Sequence, residues 1–450
     1  MSNDDVYRPR HAIFRFRDAE LLGHELLLRY ALAGGHDPDI EFEERILLPQ
    51  DLPAPDISDP TVQALVDGCH RAFGVSYFKA AIPPQIEAVP VCDADGVFWD
   101  TMYSEGMGEF YCRNGLSPVG RAAFPRDNVP VVVADVNRSH RGSFILIGGG
   151  KDSALVADIA RHAEVPRTAL SLGESPWIRR SAEASGLRLY VIRRTLDQKL
   201  FDLNARGAWN GHVPISACIA FVSMLVAYSA GIEDVIVGNE RGAEDHNVVL
   251  DDIAINHQWS KTLKFEKSFR AWCDRHFRPG PRYFSLLRPM SEIHIAEKFA
   301  MLSGQLSNFT SCNTNFRLSP GHESSRWCGH CPKCIFVYLL LSPHLNDDQL
   351  HAVFGSNFLA DDTNIGTLRA LLGLDSAKPW ECVGTADECR LSFIALMRQC
   401  RLPTTLTKLA EQYPDALRDT GFAESWRIET TLSDDHCLPR EWKERLDAYL

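Results

Sequence analysis

A strand that runs directly into three glycines and then a helix leaves few folds open. Here the apolar run Phe144-Ile-Leu-Ile147 meets Gly148-Gly149-Gly150-Lys151-Asp152-Ser153, and a stretch over 153–163 follows with Leu155, Val156 and Ile159 on one face. Glycine lets main-chain N–H groups approach phosphate oxygens, and a helix N-terminus adds favourable electrostatics. A Walker A loop would place Ser or Thr after Lys151 to hold Mg²⁺, but Asp152 stands there. The dinucleotide pattern G-x-G-x-x-G fails at Ser153. The bland alternative is a strand-to-helix turn with Asp152 and Ser153 as caps.

Further strands are predicted over 168–172, 187–192 and 234–237, alternating with helices over 175–185 and 215–229. This alternation predicts an α/β fold with a parallel sheet covered by helices on both faces. Ligands of such sheets sit at the carboxyl ends of the strands. Gly148 onward, Gly173 and Gly238-Asn239-Glu240 therefore share one rim. A chain of 450 residues suggests two or three domains. They divide as an N-terminal α+β unit over 1–139, a candidate for substrate binding; a phosphate-loop catalytic domain over 140–345; and a helical region over 346–450. Residues 241–345 read as a lobe completing the site rather than as more sheet. In the first unit, the stretch 101–115 combines glycines, aromatics and Arg113, and reads as a packed turn with some claim to ligand binding.

The formal net charge of −12 disfavours nucleic acid and anionic membrane as partners. The first twenty residues scatter charges and lack the apolar core of a secretory signal, so a cytoplasmic location is expected. The uncharged run 215–232 contains three serines between Pro214 and Gly231, and reads as a buried helix rather than a membrane span. Thirteen cysteines cannot all pair, so reduced thiols and metal ligation are expected. Cys328-Gly-His-Cys331-Pro-Lys-Cys334, with Cys312 upstream, supplies four thiols at knuckle spacing for structural zinc. An iron–sulfur cluster and metal-free packed thiols are the alternatives. His330, between two ligands, is expected to point away, and the other nine cysteines to be ordinary core or surface thiols.

Gly149, Gly150, Asp152 and Ser153 match the motif Ser-Gly-Gly-x-Asp-Ser, so the chain resembles the PP-loop ATP pyrophosphatases, with Gly148 replacing the first serine. The resemblance, over roughly 143–335, implies ATP cleaved between its α and β phosphates. It implies ATP contacts from Gly148, Gly149, Gly150, Lys151, Asp152 and Ser153, with Asp152 on Mg²⁺. Leu172-Gly173 lies where these families hold adenine, and the turns 210–215, with Pro214, and 237–240, with Gly238 and Asn239, stand at further nucleotide contacts. A similar cysteine arrangement binds zinc in the PP-loop enzyme that makes 7-cyano-7-deazaguanine.

The segments 238–247 and 257–264 follow the rim and concentrate acids, imidazoles, lysines and a tryptophan, which reads as an acceptor-binding face or a solvated loop. Together with Val-Gly-Asn-Glu-Arg-Gly-Ala-Glu, Trp-Cys-Gly-His-Cys-Pro-Lys-Cys and Glu-Cys-Val-Gly-Thr, the pattern resembles the UDP-N-acetylmuramoyl-L-alanyl-L-glutamate epimerases. That resemblance implies a nucleotide-sugar peptide substrate whose terminal L-glutamate is inverted, with ATP consumed to AMP and pyrophosphate. Adenylation neutralises the α-carboxylate and makes the α proton removable. Glu240, Glu244, Asp245, His246 and His257 are the acid/base candidates, and Lys261 and Lys264 the candidates for supporting an enolate. Arg113, Arg179 and Arg180 are candidate anion ligands. A zinc-bearing synthetase transferring nitrogen to a carboxylate, and a nucleotide-binding regulator without turnover, are the rival readings. The oligomeric state is left open.

Overall fold

The computed structural model describes residues 8–127, 134–135 (backbone only), 140–163, 165–316, 326–374, 378–418 and 420–450. The boundary expected at 139 falls beside residues outside this set. Among the described residues, nine strands form one sheet in the order Arg282–Ser285, Asp234–Val237, Ser143–Leu146, Arg167–Leu172, Leu189–Thr195, Ile40–Leu47, Glu25–Gly35, His11–Leu22, Gln85–Glu87. The first five are mutually parallel. From Ser143–Leu146 the chain moves outward through the next two strands on one side, then crosses back to build the two on the other. The Gly148-Gly149-Gly150 loop thus leaves the sheet where strand order reverses, the place at which such sheets form a ligand crevice.

Two expectations change here. The sheet is mixed rather than wholly parallel, because Ile40–Leu47 docks antiparallel on Leu189–Thr195 and brings an antiparallel meander with it. Alternation along Ile40–Leu47 turns Phe42, Glu44 and Ile46 inward. Glu44, fully buried, is matched at the seam by Arg194, whose guanidinium gives it bonds of 2.5 and 3.1 Å and a third, of 2.7 Å, to Ser76. Second, the 241–345 segment does contain a sheet strand. Arg282–Ser285 pairs with Asp234–Val237, but at four residues after a Pro-Gly-Pro run it carries too little pattern to stand out.

The N-terminal third shares the core of the sheet. Helix Pro60–Phe78, capped by Asp59 on the Thr61 N–H, packs on the buried helix Ile215–Ala230. A Cβ at Gly68 would stand 2.5 Å from the Phe221 ring, so only glycine permits this approach. Ile215–Ala230 is apolar all round and stops at Gly231, which adopts the left-handed conformation of a helix C-terminus. No helix among the described residues is long and apolar enough to cross a membrane. The C-terminal region is helical, with Pro332–Leu341 buried among Asp347–Phe354, Ile365–Leu371 and Ala386–Arg398. The last helix, Arg440–Tyr449, returns to the sheet, where the Trp442 indole donates to Asp234 at 2.8 Å.

Candidate active site

A cavity of about 380 Å³ opens at the crevice. Its floor is the glycine loop Gly148-Gly149-Gly150 and the start of the helix after it. Gly149 has φ +83°, and a Cβ there would meet backbone atoms of Trp177 and Ile178 at 3.2 Å, so glycine is required for the next helix to close on the loop. Gly150 precedes helix Lys151–Ala160, and no side chain caps it. The first-turn N–H groups are therefore free to meet an anion. Gly148 is different: nothing lies within 4 Å of a Cβ placed on it.

Of the residues expected to hold nucleotide, Gly148, Gly150, Asp152, Ser153, Leu172, Gly238 and Asn239 line the cavity, joined by Lys261. Gly149 and Gly173 shape its turns. Pro214 starts the helix whose Ser216 and Ile219 form part of the wall. Lys151 departs from expectation: its side chain is fully buried and turned away from the cavity, paired with Asp152 and Glu292. Burial opposes ionisation of Asp152, but Lys151 and Lys333 hold its carboxyl below the usual range. For Glu292 burial dominates and raises it above the usual carboxylate range despite Lys151. Its backbone N–H donates to Glu388 at 2.7 Å, tying the C-terminal helix Ala386–Arg398 to the carboxyl that holds Lys151.

The opposite wall was largely invisible in the sequence. Lys261 Nζ donates to Cys382 Sγ at 3.1 Å, Lys333 Nζ donates to the Cys382 carbonyl, and all three residues line the cavity. His257 stands near enough to the same thiol for the two to bear on each other's charge. Behind it, His257 Nδ1 bonds Glu109 Oε2 at 2.5 Å, with His212 Nδ1 3.5 Å from that oxygen. Burial favours the neutral thiol, yet Lys261, His257 and Lys333 together bring Cys382 down to about 5. Burial likewise opposes charge on His257, but Cys382 and Glu109 lift it to about 9. His212, half-buried, is brought down to about 4 by its desolvation and by charged His257 beside it.

Glu109 reaches this position because two glycines let its segment close in. A Cβ at Gly106 would meet the Trp259 ring at 2.9 Å, and one at Gly108 would meet Ile255 at 2.9 Å. The stretch 101–115 is thus packed against 255–259, and the side chain it brings to His257 is Glu109, with Arg113 paired to that same carboxylate. Cys382, expected among the ordinary core or surface thiols, is half-buried and lines the cavity. It had no spacing signal, although Glu381-Cys382-Val-Gly-Thr belonged to the recognised pattern.

The other expected catalytic residues are dispersed. Glu240 is buried near Lys261, whose ammonium it helps keep protonated. Glu244 accepts the Leu263 N–H, Asp245 pairs with Lys378 at 3.1 Å, and both share a separate cleft with His246. Lys264 pairs with Glu105 at 2.6 Å on the surface. Arg113 and Arg179 pair with Glu109 and Glu174, and Arg180 lies over the Trp177 ring.

Cys312, Cys328, Cys331 and Cys334 converge, with their sulfurs all within 4.8 Å of one another. A tetrahedron with Zn–S bonds of about 2.3 Å sets sulfurs about 3.8 Å apart, and Cys328 and Cys334 Sγ are 3.8 Å apart. The donor set and spacing fit zinc. His330 is exposed and outside the quartet. The cluster adjoins both walls: Thr310, Ser311 and Asn313 line the cavity beside Cys312, Thr310 N–H donates to Gly149 at 2.9 Å, and Lys333 lies between Cys331 and Cys334.

Residues 7–286 match the family model described as the MurL N-terminal domain, and 308–421 match the MurL C-terminal domain. Three relatives are each named UDP-N-acetyl-alpha-D-muramoyl-L-alanyl-L-glutamate epimerase. The one from Xanthomonas oryzae pv. oryzae is 39% identical over 74% of this chain and 75% of its own. One from a Micromonospora strain is 37% identical over 92% and 93%, and one from Salinispora tropica 36% over 89% and 87%.

Proposed function

The chain belongs to the MurL family, and from that premise we propose that it inverts the terminal glutamate of UDP-N-acetylmuramoyl-L-alanyl-L-glutamate by way of an acyl adenylate made from ATP. The observation that carries this is one cavity with two chemically distinct walls: an uncapped glycine loop suited to phosphates, and a cationic wall with a thiol.

In this reading the free N–H groups of the first turn after Gly150 receive the phosphates. The glutamate α-carboxylate attacks the α-phosphorus, the bond to the bridging oxygen breaks, and pyrophosphate leaves. Lys261 and Lys333 offset the negative charge brought together at that moment. Asp152, ionised and on the cavity surface, fits a Mg²⁺ ion, which when bound supplies charge compensation for the phosphates. The four-cysteine cluster would hold zinc, which supplies a cross-link between the Thr310 and Lys333 walls. Once esterified, the carboxyl no longer repels the charge that builds up when the α proton leaves, so inversion becomes accessible. Hydrolysis of the adenylate to AMP then makes the sequence directional.

The test is oxygen transfer. Substrate carrying ¹⁸O in the glutamate α-carboxylate should give AMP containing one ¹⁸O atom. Unlabelled AMP would exclude the acyl adenylate.

A further inference from the structure

Inversion requires a group that removes the α proton. The ionisable side chains lining the cavity among the described residues are Asp152, Lys261, Tyr283, Lys333 and Cys382. Asp152 is paired with Lys151 at the phosphate loop. Lys261 is kept protonated by its anionic neighbours, and Lys333, adjoining the same thiol and Asp152, is committed to the Cys382 carbonyl. Burial pushes the Tyr283 hydroxyl further from ionisation. That leaves one cavity group able to serve as a base near neutral pH.

Resting on the proposed reaction, we infer that Cys382 is the proton acceptor, with Lys261 donating to its sulfur and Glu109 as the residue that positions His257. The arrangement has the order of a catalytic triad, thiol to imidazole to carboxylate, with a lysine added on the open side. In the step itself the glutamyl Cα–H bond breaks and an S–H bond forms on Cys382. The C–H electron pair moves into the Cα–C bond while the carbonyl π pair moves to oxygen, giving an enolate whose charge Lys261 offsets. Water returns a proton to the opposite face of Cα, and the thiol proton is lost to water.

Burial and the hydrogen-bond network agree with this role. Cys382 is half-buried and faces the cavity, while Glu109 is buried behind His257 and cannot reach the substrate itself. Glu109 therefore acts through the imidazole, orienting it toward the thiol and favouring its protonated form.

The experiment compares wild type with Cys382→Ala and Cys382→Ser in D₂O, following inversion, α-deuterium and ATP–pyrophosphate exchange with the nucleotide-sugar peptide. The assignment predicts that inversion and deuterium uptake fall by at least about a hundredfold while exchange, which needs the phosphate side of the cavity, persists and reports a folded protein. Glu109→Gln should lower kcat and move the acidic limb of its pH profile upward. Intact-mass measurement during turnover should show unmodified protein. Deuterium uptake at the wild-type rate in both Cys382 variants would overturn the assignment alone, and so would a substrate thioester on Cys382. A wild type that shows no exchange with this substrate would overturn the underlying reaction and the assignment with it.

Discussion

Two sulfur environments lie on either side of Lys333. In one, Cys312, Cys328, Cys331 and Cys334 face each other with sulfurs within 4.8 Å. In the other, Cys382 faces two lysines and a histidine. The same side chain is a candidate metal ligand in the first and a stabilised thiolate in the second. What surrounds the sulfur decides which. Several thiols sharing one point suit a metal; a single thiol among cations suits proton transfer.

The largest expected effect breaks the first environment. Cys331→Ser removes one of four ligands and, with it, the cross-link that places Thr310 and Lys333. A lowered Tm, by more than 10 °C, and loss of bound zinc should result, since structural zinc sites contribute folding free energy on the order of 10 kcal/mol. Cys382→Ser should leave both Tm and metal content near wild type. Equal destabilisation by the two changes would erase the distinction.

The second environment is sharpened by pH. Cys382 is brought down to about 5 against its burial by Lys261, His257 and Lys333, so the thiolate is present above that pH and is lost as pH falls through it. His257 is lifted to about 9 against its burial by Cys382 and Glu109, so the imidazolium is present below that pH and is lost as pH rises through it. The rate of inversion should therefore fall on the acid side near 5, at an apparent value that belongs to the coupled pair rather than to either residue. Lys261→Ala should shift the acidic limb upward. A profile with no acidic limb near 5 would remove the case for a stabilised thiolate.

A subtler change tests how the second environment is held. In Gly108→Ala the new Cβ would meet Ile255 at 2.9 Å, displacing the Glu109 segment. Overpacking of this kind costs about 1–3 kcal/mol, and misplacement of a supporting group predicts a fall in kcat of about tenfold. The smallest effect is expected at the phosphate loop. In Gly148→Ser the new Cβ meets nothing within 4 Å and carries the hydroxyl usual in PP-loops, so ATP–pyrophosphate exchange should remain within about threefold of wild type, a change of less than about 1 kcal/mol. A large loss there would mean that glycine at 148 is needed for a close backbone approach.

The contrast also explains what could be read in advance. The phosphate loop and the cysteine cluster are encoded by residues close in sequence, so strand-loop-helix order and thiol spacing expose them. Strands Ser143–Leu146, Arg167–Leu172 and Asp234–Val237 were legible for the same reason, as short apolar runs at fixed intervals. Glu109, His257 and Cys382 come from three segments 148 and 125 positions apart. Only the fold brings them together, and neither composition nor periodicity records it. His257 was picked out by its polar neighbourhood. Glu244, Asp245 and Lys264 share that neighbourhood but are turned to ion pairs and backbone, and His246 lies in a separate cleft, a difference that side-chain direction decides and sequence spacing does not. The antiparallel docking of Ile40–Leu47 on Leu189–Thr195 was hidden likewise, since register across 150 residues is set by one buried pair, Glu44 and Arg194.

The central claim, that the cavity joins carboxylate activation to exchange at the α carbon, is tested most directly by incubating the protein with Mg-ATP and UDP-N-acetylmuramoyl-L-alanyl-L-glutamate in D₂O. The account predicts AMP, pyrophosphate and D-glutamate-terminated product carrying deuterium at the α carbon. AMP formed with configuration and label unchanged would contradict it.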